Sequence, residues 1–124
     1  MDEFEEFRVK RKEMNEKIFS LKNKQINRFY ALDTGTYLEG ALPVKVKELL
    51  GLTASLVLRC SDCIRYHIIR VIQEGCTDDE IGETLSIALI VGGSIVIPEM
   101  RKAVDDLFML RKKQAEGLSI DEIL

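Results

Sequence analysis

Four side chains in one stretch can act together chemically: Glu48, Cys60, Cys63 and His67, in ELLGLTASLVLRCSDCIRYH. Two thiols three positions apart suit a disulfide that opens and closes, or a pair of metal ligands. His67 is the chain's single histidine and follows Cys63 by four positions, so on a helix the two project from one face. A thiol of ordinary acidity is only a few per cent thiolate at neutral pH, and a helix N-terminus and a nearby imidazole both favour the anion. The spacing therefore predicts Cys63 as the more activated thiol and Cys60 as its disulfide partner. The competing order, with Cys60 attacking and Cys63 resolving, holds if Cys60 at the chain junction is the less buried.

Two other readings compete with redox chemistry. A zinc site would have two thiolates and one imidazole, but no second CxxC and no other histidine completes it, so the last ligand would come from an acid, water or a neighbouring subunit. Neither a metal nor a cofactor is expected. The other reading is a packing cluster without catalysis.

Glu48 poses a geometric question. If Pro43 to Arg59 is one straight helix, Glu48 stands about 18 Å along it from Cys60, beyond side-chain reach. An antiparallel next helix returns His67 part of the way, so a water-mediated Glu48–His67 relay is expected rather than contact with Cys60.

The elements that must position these groups read as helices throughout. Phe4, Phe7, Met14, Ile18 and Leu21 form a helical stripe on a leading helix over 1–25. From Asn23 to Leu42 turn formers accumulate, and an irregular region is expected, with Phe29 and Tyr30 packing inward. Pro43 suits a helix start, and the apolar VKVKELLGLTASLVLR follows it. The CxxC helix begins near Ser61 or Asp62, buries Ile64, Ile68, Val71 and Ile72, and ends at Gly75. Thr77 and Glu80 have the spacing of a capping box for a helix over 78–92. Small residues at Ala88, Gly92 and Gly93 imply close approach of another backbone. A last helix from about Pro98 to Ala115 turns Met100, Val104, Leu107, Phe108 and Leu110 inward, and Ser119 can cap a brief turn in the tail. No run alternates as a strand does, so the expectation is all-α, a single domain over 1–124 with its core in 43–115.

Length and composition agree. A chain of 124 residues fits one domain, and 46% hydrophobic against 31% charged residues excludes a disordered chain. A net charge of -3 supplies no general attraction for polyanions, so no nucleic acid is expected. The longest apolar stretch, Ile87 to Ile97, contains two glycines and a serine and is too short to span a bilayer. The acidic start MDEFEEF argues against a signal peptide, and three cysteines, an odd number, against a paired extracellular framework. A cytoplasmic protein with no membrane partner is expected. Cys76, at a helix junction, reads as a packing thiol.

The stretch from about Lys45 to Met100 closely resembles the carboxymuconolactone decarboxylase family, specifically its alkylhydroperoxidase-D-like branch. The resemblance rests on E-x11-C-x2-C-x3-H, the capped TDDEI segment and the glycine-containing IALIVGGS. It implies a compact multi-helix fold assembled as a trimer or hexamer. It also implies a thiol-dependent oxidoreductase that reduces peroxides by a Cys60–Cys63 dithiol/disulfide cycle reset by a dithiol reductant. In that cycle the resemblance makes Cys63 the peroxide-reactive thiol and Cys60 its resolver, with Glu48 and His67 assisting proton transfer. The branch's peroxidases carry a histidine immediately before the second cysteine, where this chain has Asp62, which removes a proton carrier and adds a negative charge. The alternative function is a noncatalytic oligomeric scaffold or small-ligand module on the same fold.

Overall fold

The computed structural model describes residues 2–124, which divide into two compact units: the chain up to Glu39 together with Ile123, and Gly40–Glu122 together with Leu124. Among the described residues there are six α-helices, one short 3-10 turn and no strand, the all-α class the periodicity predicts.

The first unit holds α1 (Glu3–Ser20) and α2 (Lys24–Thr36). Asp2 caps α1, its Oδ1 accepting from the amides of Phe4 at 3.1 Å and Glu5 at 2.9 Å. Glu3, Glu5 and Glu6 place negative charge where the helix dipole favours it. The expected leading helix over 1–25 stops at Ser20, because Lys22 adopts a left-handed backbone with φ 52°. Leu21, placed by its spacing in the apolar stripe, lies beyond that end and is exposed.

Of the irregular region expected from Asn23 to Leu42, residues 24–36 form the helix α2 instead, and only 37–42 are irregular. Asn23 caps it, its Oδ1 accepting from Gln25 and Ile26 amides at 3.0 Å each. The polar residues read as turn formers are absorbed on the helix surface, where the Thr34 and Thr36 hydroxyls donate back to the Tyr30 and Leu32 carbonyls. Phe29 is exposed, contrary to the inward packing expected of it. Tyr30 is half-buried: its ring meets Phe19 edge to face at 4.8 Å and its hydroxyl donates to Asn15 at 3.3 Å.

The second unit holds α3 (Val44–Leu58), α4 (Ser61–Gln73), α5 (Asp78–Gly92), the 3-10 turn Ser94–Val96 and α6 (Ile97–Ala115). α3 packs against both α4 and α5, and α4 also packs against α6. Leu52 and Leu56 of α3, Ile64, Ile68, Ile69 and Val71 of α4, and Ile81 and Ala88 of α5 lie in its core. α6 contributes Ala103, Leu107 and Leu110, whereas Phe108, expected inward, is exposed. The position one turn before Leu110 that does turn inward is Asp106, held in a bidentate pair by Arg65 of α4 with contacts of 2.9 and 2.8 Å.

The capping box forms as its spacing predicts: Glu80 N–H donates to Thr77 Oγ1 at 3.1 Å, and Thr77 N–H to Glu80 Oε1 at 2.9 Å. Gly92 brings α5 close to α3, since a Cβ there would run into Val96 Cγ2 and meet Val57 Cα at 3.7 Å. Gly93 serves conformation instead, with φ 81°. Arg111 of α6 donates to Asp78 and to the Cys76 carbonyl at the α4–α5 turn. Ser119 caps no helix; its hydroxyl accepts from the Asp121 amide in a turn that buries Ile120.

Candidate active site

The cysteine turn is built by the way α3 ends. Arg59 takes a left-handed backbone, φ 58° and ψ 41°, and its amide donates to the Leu56 carbonyl while the Cys60 amide donates to Ser55. These paired bonds close the helix as a Schellman motif. Cys60 then serves at once as the N-cap of α4, its Sγ accepting from the Cys63 amide at 3.4 Å. Cys60 and Cys63 are joined as a disulfide with Cα atoms 5.2 Å apart, an ordinary span for that bond. Cys63 is exposed and Cys60 half-buried, the reverse of the exposure that an attacking Cys60 requires.

One turn further along α4 lies His67, only 7% exposed. Its Nδ1 is 2.8 Å from Oε2 of Glu48, which is 2% exposed on α3. The water expected between them has no room at that separation. Both groups are withdrawn from solvent, and direct pairing satisfies each where a lost partner would leave a buried polar atom unpaid for in hydrogen bonds. A carboxylate only accepts, so Nδ1 carries the shared proton. Tyr66 sets its ring edgewise against the imidazole at 5.2 Å.

The second oxygen of Glu48 faces Arg70, with Nε 3.5 Å from Oε1. Arg70 is itself anchored, donating from Nη1 to Gln73 at 2.8 Å and from Nη2 to Glu74 at 3.0 Å. Sequence spacing carried a signal for Arg70, which stands three positions after His67 and so on the same helix face.

Two concavities flank the cysteine turn. One, of about 200 Å³, is lined by Ser61, Asp62, Arg65, Glu99 and Lys102 among others. The other, of about 380 Å³, lies between Leu58, Arg59, Ile95, Pro98 and Glu99. Glu99 of α6 borders both, and the Ser61 hydroxyl between the cysteines donates to it at 2.8 Å, which holds the carboxyl below the usual carboxylate range. Cys76 stands apart as a buried free thiol, and burial pushes its acidity down by raising the pKa. Among the described residues no three His, Cys, Asp or Glu side chains converge as a metal cage would need.

A helical unit with a disulfide at one helix N-terminus, backed by a buried acid–imidazole pair, defines the class of small all-α proteins that carry a CxxC site. The chain belongs to the carboxymuconolactone decarboxylase family, whose family model matches residues 26–106 and so includes most of α2. A carboxymuconolactone decarboxylase family protein from Thermotoga maritima, described with a suggested involvement in antioxidative response, is 53% identical. It superposes with a TM-score of 0.89, covering 93% of this chain and 97% of that one. A family protein from Legionella pneumophila shares the fold with a TM-score of 0.73 at 24% identity, covering 90% of this chain and 97% of its own. An uncharacterised protein from Cupriavidus necator is 31% identical over 44% of this chain, which spans about half, 49%, of that relative's length.

Proposed function

We propose that this protein is a thiol-dependent oxidoreductase of the alkylhydroperoxidase-D-like branch, reducing peroxides through a Cys60–Cys63 dithiol/disulfide cycle. The observation that carries the reading is the exposed Cys63, bonded to Cys60 at the α4 N-terminus and one turn from His67, which is itself held by buried Glu48.

In the reduced state the Cys63 thiol gives its proton to His67, and the thiolate attacks the distal peroxide oxygen. The O–O bond breaks, Cys63 becomes a sulfenic acid, and the departing alkoxide takes a proton to leave as the alcohol. The Cys60 thiol then attacks the sulfenic sulfur, and water leaves as the disulfide forms. An external dithiol restores both thiols by exchange and is itself oxidised to a disulfide. The need for that reductant fits a cytoplasmic setting. Assembly as a trimer or hexamer belongs to the same reading, supported by the exposed apolar side chains of Leu50, Leu58, Ile90 and Val91. The Thermotoga protein's suggested antioxidative involvement is consistent with it.

Stoichiometric peroxide added to reduced protein, followed by thiol labelling and mass mapping, tests the cycle. The expected product is a Cys60–Cys63 disulfide with Cys76 still a thiol. Cys60→Ser should stop at a Cys63 sulfenic acid, and Cys63→Ser should abolish peroxide turnover with a dithiol donor. A folded protein with accessible thiols that turns over neither peroxides nor model disulfides would instead be the noncatalytic scaffold.

A further inference from the structure

We propose that Arg70 is a positioning residue that keeps His67 a neutral base, by supplying the counter-charge to the buried Glu48 carboxylate. The inference rests on the thiol reading above and adds to it the residue that sets the protonation form of the imidazole.

An ionised carboxylate as withdrawn as Glu48 must have opposite charge beside it. Two groups touch it: His67 through Nδ1 at 2.8 Å and Arg70 through Nε at 3.5 Å. A guanidinium is charged at every working pH, whereas an imidazole can adopt either form. With Arg70 beside it, the acid has a positive neighbour that does not depend on the ring, although Glu74 shares that guanidinium from its more exposed side; the ring can then stay neutral, with its proton on Nδ1 and its lone pair on Nε2. Such a ring can accept the proton of a Cys63 thiol and become imidazolium as the thiolate forms.

Without Arg70 the carboxylate would draw its compensating charge from the ring. The imidazolium then has no lone pair left at Nε2, and its power to deprotonate a thiol is lost. The anchoring of Arg70 fits this role: with Nη1 on Gln73 and Nη2 on Glu74, its Nε edge is the one turned to Glu48. Glu74 is bound to Arg70, and on the side of α4 that packs against α6 Arg65 is paired with Asp106.

The chain's single histidine makes the test direct, because the two imidazole nitrogen resonances of 15N-labelled protein have one source. The measurement is made at neutral pH on the disulfide form, where neither Cys60 nor Cys63 titrates. The parent should show a neutral ring protonated at Nδ1. In Arg70→Gln the imidazolium fraction should rise about twofold or more, and Arg70→Lys, which restores the charge without the fork, should return most of the parent pattern. Arg70→Met, which removes the charge while keeping a long side chain, should give the same rise and serves if Arg70→Gln does not fold. Identical ring spectra in parent, Arg70→Gln and Arg70→Met would overturn the proposal, whatever the thiols do. A ring that responds as described in a protein without thiol turnover would support the positioning role and count against the redox reading alone.

Discussion

Glu48 and His67 stand nineteen positions apart in the chain, yet their side chains meet at 2.8 Å in the buried seam between α3 and α4. The contact links the candidate site to the core: the carboxylate comes from the helix that ends at the cysteine turn, and the imidazole from the helix that begins there. Any movement of α4 relative to α3 that broke this pair would strand a buried charge. The imidazole is thereby held one turn from Cys63 by the same packing that holds the fold.

The pair between Arg65 and Asp106 should be structural and intolerant of a change in shape. Asp106 is 4% exposed and takes both of its contacts from one guanidinium. Arg65→Ala leaves that carboxylate buried without this counter-ion and should lower unfolding free energy by about 2–4 kcal/mol, read from urea denaturation. Arg65→Lys should recover less than half of the loss, because a single ammonium cannot make the two parallel bonds. Full recovery by lysine would show that charge alone matters there.

Glu80 should confer an acid dependence on stability. Its hydrogen bond to Lys45, and next the one from the Thr77 amide, hold the folded carboxyl below its ordinary value. A depressed folded value means the contribution is complete above the ordinary carboxylate range and is lost as pH falls through the folded one. Glu80→Gln keeps an acceptor for the cap but carries no charge, so its stability should fall less steeply than the parent's between neutral pH and the acid range. Parallel thermal melts across that range check it, and superimposable slopes would exclude the effect.

Gly92 should resist even a methyl group. Its added Cβ would strike the buried Val96 side chain while meeting Val57 of α3 at ordinary contact distance. Valine is branched at Cβ and fully enclosed here, so relief by a rotamer change is blocked. Gly92→Ala should cost about 1–3 kcal/mol, whereas Gly82→Ala, with open space at its Cβ, should be neutral or stabilising. Calorimetric melting of the two variants separates close packing from the general cost of a helical glycine.

The sequence by itself determined most of the second unit. Pro43, the Thr77–Glu80 capping box and the buried stripe of α4 are local signals: a missing amide, a reciprocal pair of hydrogen bonds and a helical period each act over a few residues. The grouping of Cys60, Cys63 and His67 was legible for the same reason, since one turn of helix sets their spacing. Local signals misled where polar residues have two uses. Asn23 caps α2, and Thr34 and Thr36 satisfy themselves on helix carbonyls, so a segment rich in turn formers is a helix.

Only the tertiary structure decided which charged residues turn inward. Arg70 and Asp106 look like ordinary surface charges in the sequence, and even Glu48 reads only as a remote partner of His67, because burial of a charge depends on a partner brought by another helix. Glu48 meets His67 and Arg70 across the α3–α4 seam, and Asp106 meets Arg65 from α6. Each pairing joins residues on different helices, and the direct Glu48–His67 bond replaced the expected water once both groups lost access to solvent. A buried charge is stable only beside its counterpart, and that counterpart is a property of packing rather than of spacing.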